Sequence, residues 1–119
     1  MINLLITTEG TTELRFVKEF LAAHLGGCGV YTTPRSVLTS KDKRAAKEYR
    51  GGLLQYEKAK KDIISWLKER KDRNCYFTTM FDLYALPQDF PGFSKAKKQK
   101  DPYLRVKMLE EAFAQDIAD

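Results

Sequence analysis

The sequence is poor in the residues that form thiolate metal sites and disulfide frameworks. It contains two cysteines, Cys28 and Cys75, and a single histidine, His24. Small disulfide-stabilised domains use more cysteines than this, and a tetrahedral zinc site would have to recruit acidic ligands as well. We therefore interpret both cysteines as small buried side chains, and we expect any bound metal to be a hard ion with oxygen ligands.

Long apolar runs and several enzyme signatures are also missing. No stretch approaches the roughly 18 consecutive apolar residues of a membrane span, and the N-terminus lacks the basic region and cleavage site of a signal peptide. We accordingly expect a cytoplasmic protein with no membrane partner. The chain has no Gly-x-x-x-x-Gly-Lys-Ser/Thr phosphate loop, no Gly-x-Ser-x-Gly elbow and no dinucleotide fingerprint after its first strand, which excludes the enzyme classes that depend on them.

Positive charge is in excess and is unevenly distributed. The formal net charge is +5, and basic residues crowd the stretches 41–50 and 95–100. Such clusters favour polyanionic partners, although lysine-rich exposed loops are equally expected of a soluble protein without such a partner. If the clusters bind nucleic acid, the phosphate contacts are expected from Lys43, Arg44, Arg50, Lys95, Lys97 and Lys98.

The first strand and helix are predicted from the apolar pattern. Residues 2–7 lack polar alternation, which is typical of a strand buried on both faces at the centre of a parallel sheet. A helix should follow at once, with Thr11 or Thr12 as its N-cap. Apolar residues then recur at helical spacing until Gly26 and Gly27 end the helix.

The rest of the chain continues the alternation of strands and helices. A second strand is predicted at about 30–38, and Pro34 indicates that it lies at an edge or carries a bulge, because proline donates no backbone hydrogen bond. A polar, basic connection follows at 39–52. The remaining predicted elements are a helix at about 53–70, a strand from Cys75 to Phe81, a long loop from Leu83 to Asp101, and a helix over Tyr103, Val106, Leu109, Phe113 and Ile117.

This order of elements predicts an α/β fold in one domain over residues 1–119. We expect a Rossmann-like parallel sheet of about three or four strands flanked by helices. The last predicted helix runs to the end of the sequence with no following strand, so we expect the chain to be the N-terminal part of a longer protein. On that hypothesis the chain alone could be purely structural and need further residues to complete its sheet.

Two acidic residues stand at the ends of the two apolar strands. Glu9 closes the first strand and Asp82 ends the third. Ligands of open parallel sheets bind outside the carboxyl ends of the strands, so these carboxylates can meet if the two strands are neighbours. Such a pair suits Mg²⁺, or Mn²⁺, which takes one or two carboxylates together with substrate phosphate oxygens. Glu13 is a candidate general base or outer ligand, and Asp89 is a candidate third ligand.

Each acid also has a simpler interpretation. Glu9 could be a solvated turn residue, and Asp82 could cap the turn after its strand. Glu13 could compensate the helix dipole, and Asp89 could organise its own turn. If these structural roles hold, the chain is a non-catalytic module that binds nucleic acid or another protein through its basic loops.

Three motifs carry a resemblance to known families. The opening Thr8-Glu9-Gly10-Thr11-Thr12-Glu13, with an aspartate ending a later strand, resembles the Toprim fold of topoisomerases, primases and OLD-type nucleases. Nearly the whole chain is similar to the bacterial family called domain of unknown function 4276. That similarity adds two motifs, Arg50-Gly51-Gly52-x-x-x-Tyr56-Glu57 and Phe81-Asp82-Leu83-Tyr84-Ala85-Leu86-Pro87-Gln88-Asp89-Phe90-Pro91-Gly92.

The resemblance implies a magnesium-dependent domain that acts on nucleic acid phosphodiesters. In Toprim proteins a glutamate and an Asp-x-Asp pair coordinate the ion, so the resemblance makes Glu9 that glutamate and Asp82 the first acid of the pair. The chain departs from the pattern at Tyr84, which occupies the place of the second acid. Either Asp89 substitutes, or the metal site is weakened, or no catalysis occurs. The resemblance also implies a working link to an ATPase partner protein in phage defence.

Overall fold

The computed structural model of the chain describes residues 1–37 and 55–118, apart from the side chain of Tyr84. These ranges form an α/β fold, as predicted. Helix α1 consists of three successive segments, Thr11–Phe16, a π-helical turn at Val17–Leu21, and Ala22–Gly26. The other elements are β1 (Ile2–Thr8), β2 (Val30–Ser36), α2 (Tyr56–Glu69), β3 (Cys75–Met80), a 3₁₀ turn (Leu83–Ala85), α3 (Phe93–Lys98) and α4 (Pro102–Ala118).

The sheet is parallel and has the strand order β2-β1-β3. Residue Leu5 in β1 pairs with Thr33 on one side and with Phe77 on the other, and its own side chain is fully buried. The predictions that the first strand is central and that the first and third strands are neighbours are both confirmed. β2 lies at an edge, in accord with Pro34. All three carboxyl ends therefore meet at one edge of the sheet.

Helix α1 buries Val17, which has no exposed surface, but its start differs from the prediction. The N-cap is Gly10 in extended conformation, and the Gly10 carbonyl accepts the Leu14 N–H at 3.1 Å. Thr11 is already the first helical residue, no side chain caps the helix, and Thr11 and Thr12 are both exposed. The threonine cap was therefore a wrong prediction.

Helix α2 lies close to the predicted range of 53–70, and residues 53 and 54 fall outside the described part of the chain. Its buried residues include Ala59, Ile63 and Trp66, which recur at three- and four-residue spacing. The Trp66 ring meets that of Phe77 edge-on at 6.0 Å between centroids. One stripe of the helix therefore packs against the sheet, while most of its lysines remain exposed.

The segment after β3 is more structured than the predicted loop. It contains the 3₁₀ turn and helix α3, and Gly92 precedes α3 in the left-handed conformation with φ of 76°. The Gly92 carbonyl accepts the Ala96 N–H at 2.9 Å. A Cβ atom at Gly92 would lie 2.8 Å from the Cβ of Ala112 in α4, so this close approach of the two helices needs glycine. The prediction of a long loop from Leu83 to Asp101 was therefore wrong over the 3₁₀ turn and helix α3.

A core cluster joins α2, α3 and α4. It consists of Tyr56, Phe90, Ala96 and Leu109, each no more than 5 % exposed. Phe113 packs against this cluster, with its ring centroid 5.0 Å from that of Phe90. Through this cluster, the segment after β3 packs against the start of α2.

Both cysteines are free, but they are not buried as predicted. Cys28 is exposed in the turn between α1 and β2, and Cys75 is half-buried at the start of β3. Cys28 stands between Gly27 and Gly29 in this turn. None of the helices in the described ranges combines the length and the apolar character that a bilayer crossing requires.

Candidate functional site

The acids at the ends of β1 and β3 lie side by side. The backbone N–H of Asp82 donates to Glu9 Oε2 at 2.9 Å, and the backbone N–H of Glu9 donates to the Met80 carbonyl at 3.3 Å. Glu9 is 3 % exposed, whereas Asp82 is exposed. The structure therefore brings the two predicted residues together, and one of them is buried while the other is exposed.

The parallel pairing of the strands explains this proximity. Thr8 is the last residue of β1, and it pairs with Met80, the last residue of β3. The chain leaves both strands at the same edge, so Glu9 and Asp82 follow within two residues of the same register position. Thr8 Oγ1 is also buried here, and it has no hydrogen-bond partner within the described ranges. This edge of the sheet is therefore polar although its interior is apolar.

Glu13 lies in the first turn of α1 and is half-buried. Its position three residues after the N-cap places its negative charge near the positive end of the helix dipole. Its carboxylate accepts no hydrogen bond from another described residue. Its role as a general base or outer ligand stays a prediction.

Asp89 accepts a backbone hydrogen bond, whereas the sequence suggested that it is a third metal ligand. The backbone N–H of Tyr56 donates to Asp89 Oδ1 at 3.2 Å and to Asp89 Oδ2 at 3.3 Å. Tyr56 is the first residue of α2, so Asp89, 33 residues away in sequence, accepts one of the N–H groups that have no partner within the helix. Both of its oxygens are engaged in this cap, and its assignment as a metal ligand stays a prediction.

The predicted phosphate-binding residues fall into two groups. Lys95, Lys97 and Lys98 are all exposed on the short helix α3. Lys43, Arg44 and Arg50 lie outside the described residues, as does the side chain of Tyr84. Among the described residues, no three histidine, cysteine, aspartate or glutamate side chains lie close enough together to hold a metal ion. Glu9 and Asp82 are thus a two-carboxylate set.

A charged contact between α2 and α4 was missed by the sequence analysis. The Tyr56 hydroxyl donates to Asp116 Oδ2 at 2.6 Å, and Lys60 Nζ lies 3.1 Å from the same oxygen. The hydrogen bond from Tyr56 and then the contact with Lys60 lower the pKa of Asp116. Burial, followed by the bond to Asp116, raises the pKa of Tyr56. The three residues fasten α4 to α2, and their separation in sequence left no local signal.

A second missed cluster lies between β2 and α2. Arg35 Nη2 donates to Asp62 Oδ1, and the guanidinium carbon lies 4.9 Å from the centre of the Trp66 ring. The Asp62 side chain is 8 % exposed, and its Oδ2 atom has no hydrogen-bond partner within the described ranges. The helical spacing of Asp62 and Trp66 was the available signal, because residues four apart share a face. This cluster ties the edge strand to α2.

The chain belongs to the family described as Domain of unknown function (DUF4276), whose profile matches residues 8–119. The resemblance to that family is therefore confirmed. No curated protein and no solved structure matches the chain.

Proposed function

We propose that the chain is a Toprim-like domain that acts on nucleic acid phosphodiesters with the help of a divalent metal ion. The observation that carries the proposal is the hydrogen bond from the Asp82 backbone to Glu9 Oε2 at 2.9 Å. It joins two carboxylate residues at the carboxyl ends of neighbouring parallel strands, where ligands of open α/β sheets bind.

The donor chemistry fits Mg²⁺ or Mn²⁺. Both ions prefer oxygen ligands, and Mg²⁺ keeps several waters while it takes one or two carboxylates and substrate phosphate oxygens. Glu9 and Asp82 supply that number of carboxylates. When bound, the ion would neutralise charge on the phosphate and activate a water molecule.

The protein residues have separate roles in this proposal. Glu9 is the fixed ligand, because its buried carboxylate is held by the backbone of Asp82. Asp82 is the accessible ligand, because it is exposed. Glu13 is the candidate base that removes a proton from the attacking water. The exposed lysines of α3 would attract the phosphate backbone.

A cleavage assay tests this proposal. Single-stranded and duplex DNA and RNA are incubated with the protein and Mg²⁺ or Mn²⁺, and the same substrates are incubated with Glu9→Gln. The variant keeps the size and the hydrogen-bonding oxygen of Glu9 but removes its charge. We expect cleavage by the wild type and by Asp72→Asn, an exposed control, and a loss of at least about 100-fold in Glu9→Gln. Equal cleavage by Glu9→Gln would remove Glu9 from the mechanism.

A second candidate function is a binding module without catalysis. It is favoured by the cap that Asp89 gives to α2, because this engages the residue proposed to replace the missing acid at Tyr84. Such a module would bind nucleic acid with a strong salt dependence and no turnover. The log–log slope of affinity against salt would then report the number of phosphates contacted. Metal-dependent cleavage that requires Glu9 would reject this alternative.

A further inference from the structure

We infer that a cavity beside the Glu9–Asp82 pair binds one unpaired nucleotide of a single-stranded nucleic acid, an inference that rests on the proposed function. The cavity has a volume of about 240 Å³ and lies between the 3₁₀ turn, α3 and α4. Its lining includes Leu83, Leu86, Phe93, Lys97, Arg105 and Leu109.

The cavity and the candidate site are linked by two consecutive residues. Leu83, which forms part of its wall, directly follows Asp82. In the inferred complex, a nucleic acid strand with one phosphodiester at Asp82 places a neighbouring nucleotide at the cavity. This adjacency of Leu83 to Asp82 supports a role for the cavity in binding substrate next to the reacting phosphate.

The lining combines an apolar wall with fixed positive charge. Leu83, Leu86 and Phe93 supply surface for the flat face of a base. Arg105 Nε and Nη2 donate to the Gln99 carbonyl at 3.0 Å and 2.7 Å. These bonds engage two of the five guanidinium donors and hold the group in place, so the others can meet a phosphate with little loss of side-chain freedom.

A neighbouring cavity shows why this one is assigned to an anionic ligand. The second cavity, of about 200 Å³, shares Leu83, Leu86 and Leu109 with the first. Its charged lining residue is Glu110, and no lysine or arginine lines it. A phosphate would be repelled there, whereas Lys97 and Arg105 attract it in the first cavity.

The size of the cavity suits the base of an unpaired nucleotide. Pockets that enclose a whole small ligand usually measure about 300–1,000 Å³, so a cavity of about 240 Å³ suits one part of a larger ligand, such as a single base. A base within a duplex is stacked and paired, and it must be extruded before it can enter a pocket. A single strand avoids that cost.

Binding in the presence of EDTA tests the pocket separately from the metal site. Fluorescence polarisation is measured with a labelled single-stranded oligonucleotide and with the duplex of the same sequence. We expect the wild type to bind the single strand at least about fivefold more tightly than the duplex. Lys97→Gln should weaken single-strand binding and lower the salt slope by about 0.7. Lys18→Gln, an exposed lysine on α1, is the matched control and should change neither value.

Ala96→Leu is the second variant, because Ala96 lines the cavity and a larger side chain would fill it. It should reduce single-strand binding at least about fivefold without weakening duplex binding, provided that thermal unfolding shows a folded protein. Equal affinity for both nucleic acids, or single-strand binding that is indifferent to Lys97→Gln, would overturn the inference. Selective single-strand binding without any metal-dependent cleavage would support the pocket and reject the proposed catalysis.

Discussion

Asp89 caps helix α2 from a distant part of the chain, because both of its carboxylate oxygens accept the backbone N–H of Tyr56. This contact joins the segment after β3 to the start of α2. The contact also gives Asp89 a structural role, although its position in the sequence suggested a metal ligand.

Asp89→Ala should therefore act on stability. Loss of a helix N-cap costs about 0.5–2 kcal/mol, so the free energy of unfolding in urea should fall by that amount. Mn²⁺ affinity should be unchanged. Asp72→Ala, which removes an exposed carboxylate, is the control and should change stability by less than about 0.5 kcal/mol. A large loss of metal affinity with little loss of stability would show that Asp89 is a ligand after all.

The contact of Tyr56 with Asp116 should make stability depend on pH at both extremes. The pKa of Asp116 is lowered in the folded state, so its contribution is present above the unfolded pKa, near 3.8, and is lost as the pH falls through the folded pKa. The pKa of Tyr56 is raised, so its contribution is present below the unfolded pKa of 10.0 and is lost as the pH rises further.

Chemical unfolding of the wild type and Asp116→Asn at a series of pH values checks this. The variant should be less stable than the wild type at pH 6, and the difference should shrink as the pH falls below about 4. A difference that stays constant from pH 6 to pH 2 would show that the charge of Asp116 is irrelevant. Tyr56→Phe should reduce the loss of stability above pH 10, because the group that ionises has been removed.

Arg35 compensates the buried charge of Asp62. Because the Asp62 side chain is 8 % exposed, Arg35→Ala leaves a buried carboxylate without its main partner and should cost about 3–5 kcal/mol. The exposed pair of Arg15 and Glu19 is the matched comparison, with side chains 70 % and 51 % exposed. Arg15→Ala should cost less than about 1 kcal/mol in the same urea experiment. Equal effects of the two changes would contradict the account.

Alanine substitutions at Gly92 and Gly29 distinguish the cost of backbone strain from the cost of crowding. Both have positive φ, 76° and 84°, but only at Gly92 would a Cβ meet another atom, at 2.8 Å from Ala112. Gly29→Ala should therefore cost about 1–2 kcal/mol from its conformation alone. Gly92→Ala should lower the free energy of unfolding by more than Gly29→Ala does, because α3 and α4 must also move apart. A smaller loss at Gly92, measured by thermal unfolding, would refute the proposed close packing.

The sheet could be predicted from the sequence because its signals are local. The unbroken apolar run of β1 marked a central strand, and Pro34 marked an edge strand. Glu9 and Asp82 directly follow two of the predicted strands, so their position at one edge of the sheet could be predicted as well. The proximity of these two residues in the candidate site could be predicted, because two neighbouring parallel strands end at the same edge of the sheet.

The other features depend on partners that are far away in sequence. The cap from Asp89 to Tyr56 spans 33 positions, and the bond from Tyr56 to Asp116 spans 60. Helix α3 was hidden because the breakers Pro91 and Gly92 precede a short lysine-rich segment. Its buried Ala96 packs into a core formed with α2 and α4, so tertiary packing stabilises a helix too short to be evident from periodicity.

A metal titration tests whether Glu9 and Asp82 together bind a divalent ion. Isothermal calorimetry with Mn²⁺ and Mg²⁺ is run on the wild type, Glu9→Gln and Asp82→Asn, with Asp72→Asn as the control. We expect saturable binding to the wild type and the control, and a loss of at least about tenfold in affinity in each of the other two variants. Binding that is absent, or that is indifferent to both changes, would contradict this expectation and make the acids structural.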